Sequence, residues 1–223
     1  MFITVSGQKG GVAKTCTSLH LASVWAEQGR AVCVVDADRN RSALAYGIRG
    51  ELPFAVVPVE AAAKATRSAD VVITDGQASS DEEELRHLAV GSDLVLLPTA
   101  PKARAVELTV ELAQLLRHVG VAHAVLLVKV DLRQQRAAQD ARQALHSFGI
   151  PVLDTEIPLL AAFDKAENQG IPVFAATDDR GRADPRRMVG WSAYQTVAKE
   201  IECLISKPSS AVSRINATLP LSA

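Results

Sequence analysis

The chain has 223 residues, with 24 Lys+Arg against 25 Asp+Glu and a formal net charge of −1. At 48% hydrophobic and 22% charged residues it is neither disordered nor of low complexity, and 4% aromatic residues leave little for a surface that grips nucleobases by stacking. The balanced charge excludes a globally basic nucleic-acid binder while leaving room for a local basic patch.

Phe2–Ser6 opens the chain as a strand, without the basic and apolar regions of a signal peptide. A glycine-containing loop leads into a helix at Thr15–Gln28, and Ala31–Val35 forms the next strand. Arg49–Thr66 carries one strand, Phe54–Val59, and an Ala-rich stretch. Strand Asp70–Thr74, helix Asp81–Val90, strand Asp93–Leu97, helix Ala103–His118, strand Val121–Val130 and helix Gln134–Phe148 follow. Continuous apolarity in the strands means that both faces are covered, and Val106, Val110, Ala113 and Leu116 fall on one helical stripe. After Ile150 the pattern is irregular around Ile157-Pro158 and Ile171-Pro172 and polar over Thr177–Pro185. A last helix spans Arg187–Ile205. Strand–helix alternation with short connections predicts a doubly wound α/β fold, a mostly parallel sheet flanked by helices in three layers. Residues 1–205 are expected to form one nucleotide-binding domain and 206–223 a flexible tail.

No apolar run reaches the roughly 18 residues of a membrane span. Cys16, Cys33 and Cys203 form no C-x-x-C pair, so zinc ribbons and Cys-ligated clusters have no support, and unpaired thiols suit the cytosol. The five histidines show no metal spacing, and Trp25 and Trp191 lie in helical patterns as packing residues. Asp81 to Glu84 complements the N-terminal dipole of its helix.

The chemistry concentrates in Gly7-Gln8-Lys9-Gly10-Gly11-Val12-Ala13-Lys14-Thr15, between the first strand and the first helix. Backbone N–H groups from Gly10 to Cys16 can wrap a polyphosphate, helped by the positive end of the helix. Lys14 would reach the β- and γ-phosphates and Thr15 would ligate Mg²⁺. The strict phosphate-loop expression fails, because Ala13 occupies its final glycine position. Asp36, Asp38 and Asp75 end two strands, and the carboxyl ends of neighbouring parallel strands lie beside such a loop. A carboxylate there can hold Mg²⁺ through its water shell, and another can orient an attacking water.

These residues resemble the deviant Walker A ATPases of the ParA/MinD superfamily. Lys9-Gly10-Gly11-x-x-Lys14-Thr15 is similar to that family's K-G-G-x-x-K-[ST] loop, Val34-Val35-Asp36-Ala37-Asp38 to its second motif, and Val72-Ile73-Thr74-Asp75 to its Walker B strand. Ser92 to Pro98 resembles the following strand, and Thr155-Glu156-Ile157-Pro158 the segment beneath the adenine. The resemblance implies ATP and Mg²⁺ as cofactors and slow hydrolysis to ADP and phosphate. Lys9 would cross to a partner subunit's nucleotide in an ATP-bound homodimer, placing a cation between two repelling triphosphates. Asp38 would position the hydrolytic water, Asp36 would support it and the Mg²⁺ shell, and Asp75 would hold metal water.

The sequence also departs from the family. Arg39 and Asn40 stand where a proline and glutamine usually follow Asp38, removing a rigid loop anchor. Cys16 replaces a common Thr or Ser near the α-phosphate, and Val128-Lys129 stands where many relatives place Asn-Arg.

The second ligand separates functions within the superfamily. Arg180, Arg182, Arg186 and Arg187 cluster at the start of the last helix and would bind DNA without sequence preference and with strong salt dependence. Asp178, Asp179 and Asp184 interleave with them as local neutralisers, and Arg133, Arg136 and Arg142 offer a second basic surface. The segment after Ser206 lacks the basic amphipathic helix of MinD-like membrane binders. The expectation is a small ParA-type ATPase, cytoplasmic and nucleoid-associated. It would dimerise on ATP, bind DNA and, with a ParB-like or adaptor partner, position a plasmid, chromosome or protein cargo. Alternatives are a metabolic ATP-dependent ligase of the same superfamily and a non-hydrolysing nucleotide-dependent scaffold.

Overall fold

β-branched and leucine residues on successive positions build strands buried on both faces. In the computed structural model, which describes residues 1–8, 10–76 and 91–206, six strands form one parallel sheet, and the edge strand at Ala55–Pro58 is left partly exposed. They are β1 (Phe2–Val5), β2 (Val32–Asp36), β3 (Ala55–Pro58), β4 (Val71–Asp75), β5 (Leu94–Thr99) and β6 (His123–Leu127), in the spatial order β3-β2-β4-β1-β5-β6. Among the described residues the helices are α1 (Lys14–Glu27), α2 (Ser42–Arg49), α3 (Ala62–Ala65), α4 (Ala103–Val119), α5 (Gln135–Ser147), α6 (Ala161–Gln169) and α7 (Arg187–Ser206).

Strand periodicity of two divides the core between the faces. Leu94 and Leu96 of β5 point into a cluster with Leu19 and Val24 of α1 and Tyr194, Val197 and Ile201 of α7. Their neighbours Val95 and Leu97 point the other way, against Val106, Val110, Ala113 and Leu116 of α4 and Ala138 and Leu145 of α5. Each fully buried aliphatic side chain contributes roughly 1.5–3 kcal/mol, so these stripes bind the helices to the sheet. Trp25 is fully buried with its indole N–H donating to Glu202 Oε1 at 2.9 Å, and Trp191 packs edge-on against Phe174. Both tryptophans are packing residues, as their helical positions suggest.

The strand ends shift by one to three residues from the pattern, and two helices escape it. α2 follows Arg41, a non-glycine residue at φ 52° with no side-chain cap, and its eight residues include Gly47, so it lacks a start signal and is short. α6 is short and lies between Pro158 and Pro172. It ends at Gly170 (φ 67°), whose backbone packs against that of Gly50 at the end of α2. A Cβ on either glycine would collide with the other's backbone, so this pair sets how closely α2 and α6 approach.

The segment after α5 runs beside β6, with bridges from Val152 to Val125 and from Pro158 to Val130. Glu200 of α7 accepts the N–H groups of Asp154 and Thr155 and the Thr155 hydroxyl, holding that segment against the sheet edge. Among the described residues no helix is long and apolar enough to cross a membrane. The expected helix at 81–90, Lys9, and the segment from Lys207 lie outside the described residues.

Candidate functional site

All six strands are parallel, so the carboxyl ends of β1, β2 and β4 open on one side, and the loop after β1 turns there into α1. Gly11 (φ 77°) and Ala13 (φ 60°, ψ 32°) both take left-handed backbone. Ala13 therefore adopts, at a cost of roughly 1 kcal/mol, the conformation that glycine would take freely. The failed motif position is a strained position, and the turn forms nonetheless. The Ala13 carbonyl accepts the Thr17 N–H at 2.9 Å, the bond that opens α1.

Lys14 is the first residue of α1 and is 8% exposed. Burial lowers its pKa, while Asp75 and Asp38 pull it back up. Next to it, the Thr15 hydroxyl donates to Asp75 Oδ2 at 2.7 Å and the Ser18 hydroxyl to Asp75 Oδ1 at 2.9 Å. Asp75 is fully buried at the end of β4, and desolvation pushes its pKa up to about 6 against those two hydrogen bonds. A threonine that gives its proton to a carboxylate keeps its oxygen lone pairs for a metal. The set Thr15–Asp75 therefore suits Mg²⁺, a cation that keeps most of its water and needs few protein ligands. Ser18 is a site residue that the motif does not name. Its spacing, one turn after Thr15 on the same face, is the signal that could have found it.

Asp36 and Asp75 are paired in register across β2 and β4, close enough for Asp36 to help raise the Asp75 pKa. Its Oδ1 accepts the Asp38 N–H at 3.0 Å and its Oδ2 the Leu44 N–H at 2.9 Å. Asp36 thus ties the end of β2 to the loop that carries Asp38. Asp38 lines the cleft, and its own Oδ1 accepts the Asn40 N–H at 2.9 Å. The Arg41 N–H returns to the Asp38 carbonyl. Both bonds close the turn over Arg39 and Asn40.

The cleft encloses about 500 Å³ between Gly10, Gly11 and Lys14–Cys16 on one side and Val128, Lys129 and Ile157–Leu160 on the other. That size falls within the range of small-molecule and cofactor sites. Ile157 and Pro158 are buried in its wall, fixed by Ile157 N–H to the Leu127 carbonyl and Val130 N–H to the Ile157 carbonyl. Lys129 (φ 56°) donates from Nζ to the Gly11 carbonyl at 2.8 Å. Val12 is buried beneath the loop.

At its inner end the cleft meets a neutral cluster. Cys16 Sγ lies 3.5 Å from His20 Nδ1 and 3.8 Å from the Tyr194 hydroxyl, and His20 stacks on Tyr194 and meets Phe163 edge-on. Burial pushes the Cys16 thiol up to about 12 and holds His20 down at about 4, so both are neutral at pH 7. Cys16 is thus a small inert wall residue, with none of the character of an activated thiol.

The predicted basic patch is partly spent internally. Arg182 pairs with Asp178 at 2.7 Å, and Arg187 donates to the carbonyls of Phe174 and Asp184. Arg180 and Arg186 remain exposed. On the second surface, Arg142 is tied to Glu156 and the Leu153 carbonyl, and Arg133 to Asp131.

Residues 3–173 match the CobQ/CobB/MinD/ParA nucleotide binding domain. The chain is 30% identical over 199 residues to the maintenance of carboxysome distribution protein A of Gloeobacter kilaueensis, covering 83% of this chain and 91% of that protein. Among solved structures it is similar to the MinD cell division protein of Aquifex aeolicus (TM-score 0.70, 16% identity, 100% of this chain and 99% of that one). It is also similar to the septum site-determining protein MinD of Pyrococcus horikoshii, solved with Mg-ADP (TM-score 0.67, 17% identity, 93% and 99% covered). At these identities the solved structures speak for the fold, which has the same parallel sheet and helix layers. The family match spans the loop, both acidic strand ends and the far wall of the cleft, and the chain belongs to the CobQ/CobB/MinD/ParA family of nucleotide-binding domains.

Proposed function

We propose that this chain is a ParA-type ATPase that dimerises on ATP, binds DNA without sequence preference and hydrolyses ATP to position a cargo. One observation carries the reading: Lys14, Thr15 and Asp75 meet at the root of a cleft with Asp38 in its lining. Lys14 would bind the β- and γ-phosphates, and the N–H groups from Gly10 to Cys16 would line the anion site. Thr15, turned by Asp75, would hold Mg²⁺, which when bound neutralises charge on the triphosphate. Ile157 and Pro158 would lie against the base. Asp38 would orient the water that attacks the γ-phosphorus as the bond to ADP breaks. The carboxysome-distribution relative supports a protein body as cargo, since it aligns along most of both chains.

Dimerisation through Lys9, with Leu159 as an apolar group at the cleft rim (55% exposed), belongs to the same proposal. So do a ParB-like or adaptor partner and a nucleoid-associated location. Arg180 and Arg186 are the arginines of the cluster still open to phosphates.

DNA binding measured at several salt concentrations with ATP, ADP and no nucleotide tests the reading. ATP-selective, salt-sensitive binding to any sequence is expected. Equal binding in all three states would sink it. In parallel, Lys9→Ala should retain ATP binding and remain a monomer by light scattering.

A further inference from the structure

We infer that Lys129 is a positioning residue of the phosphate loop: its ammonium holds the Gly11 carbonyl turned away from the anion site, which aims the Val12 N–H into it. The inference rests on the nucleotide reading of the cleft.

In a trans peptide the carbonyl and the following N–H point in opposite directions, so fixing one aims the other. Gly11 and Val12 share that peptide plane. Little else restrains it: Gly11 is left-handed and free to rotate, and a Cβ built on Gly10 or Gly11 would meet nothing within 4 Å. Among the described residues, the hydrogen bond that reaches the Gly11 carbonyl comes from Lys129 Nζ, at 2.8 Å and 118 positions away. A phosphate cradle needs its carbonyls out and its N–H groups in, and a cation outside the loop meets that need.

The backbone of Lys129 points the same way. At φ 56° it occupies a conformation suited to glycine or asparagine, and a lysine there is strained. Neighbouring bonds hold it in place, from Val128 N–H to the Thr99 carbonyl and from Val130 N–H to the Ile157 carbonyl. Strain kept in place by its surroundings points to use of the side chain it presents. Because the Val130–Ile157 bond belongs to the far wall, Lys129 also ties that wall to the phosphate loop.

Two variants separate the amine from the backbone. Lys129→Asn and Lys129→Gly both accept the left-handed conformation and cannot reach Gly11. Lys129→Arg retains a long cationic donor. In nucleotide-free full-length protein, the ¹⁵N order parameter of the Val12 amide should fall from about 0.85 toward 0.6 in the first two and stay high in the third. Binding of fluorescent ADP should weaken roughly five- to tenfold in Lys129→Asn and Lys129→Gly, and stay within about twofold in Lys129→Arg. In turnover assays the loss should appear in KM, with kcat retained at saturating ATP. An unchanged Val12 order parameter overturns the inference, whether or not ADP affinity falls, because a loss of affinity alone would be through-space attraction. Wild-type protein that binds no nucleotide would instead sink the reading of the cleft, with the order parameter still reporting on Lys129.

Discussion

The two faces of α1 carry polar residues of similar size and put them to opposite uses. Toward β4, Lys14, Thr15 and Ser18 surround the Asp75 carboxylate where the cleft opens. Toward α7, Cys16, Thr17 and His20 close around Tyr194 and Phe163 and stay neutral. Burial acts on both faces. On the first it is opposed by hydroxyl donors and a lysine, which keep a charge available to a ligand. On the second nothing opposes it strongly, and the groups settle into their uncharged forms. One helix thereby separates a reactive surface from an inert one within a single turn.

Breaking the first face should have the largest effect. Asp75→Asn keeps the shape but no longer orients the Thr15 hydroxyl, and ATP turnover in Mg²⁺ should fall by about a hundredfold or more, measured as phosphate release. Turnover within a fewfold of wild type would take Asp75 out of the site.

The second face is tested by pH. His20 Nε2 accepts the Val173 N–H at 3.1 Å, and Nδ1 donates to the Cys16 carbonyl at 2.7 Å. Its folded pKa of about 4 lies below the ordinary 6.5, so the unfolded chain binds the proton first as pH falls. This contribution to stability is complete above about pH 6.5 and is lost progressively down to pH 4. The loss is on the order of 3 kcal/mol. Denaturant melts of wild type and His20→Gln at pH 7.5 and 5 should show the wild type losing more over that interval. Parallel losses would mean that His20 is not held neutral.

The junction of the two faces should give the smallest effect. Ala13→Gly relieves the left-handed alanine but adds freedom to the unfolded chain, so the two terms oppose each other. A gain below about 1 kcal/mol is expected in the same melts. A loss of more than about 1 kcal/mol, beyond what the unfolded-chain freedom can cost, would show that the loop in solution does not keep Ala13 at positive φ.

The sheet was legible because parallel strands must be apolar on both faces, which leaves runs such as Leu94 to Leu97 and Val125 to Leu127 in plain view. The loop and the acidic strand ends stand out because phosphate and metal chemistry demands particular residue types. At Asp36 two uses stay open, since a carboxylate that caps backbone N–H groups and one that serves a metal look alike in sequence. α6 was hidden because flanking prolines and its end at Gly170, set by close approach to Gly50, blur helix signals, and α2 because eight residues with no capping residue make a short pattern. Lys129 read as the loss of a motif, and its tie to Gly11 exists only once two segments 118 positions apart meet.

The segment from Val152 to Pro158 has a consequence for solubility. β6 ends the sheet on that side, and an uncovered edge invites another chain to pair with it. The strip pinned there by Glu200 bridges to residues in and just beyond β6, and its last two residues, Ile157 and Pro158, form the cleft wall. The opposite edge, β3, ends in Pro58, which has no N–H to donate. Substitutions that loosen the strip, such as at Glu200, would thus be paid for twice, in ligand affinity and in aggregation, which narrows how far this wall can drift in search of a different ligand.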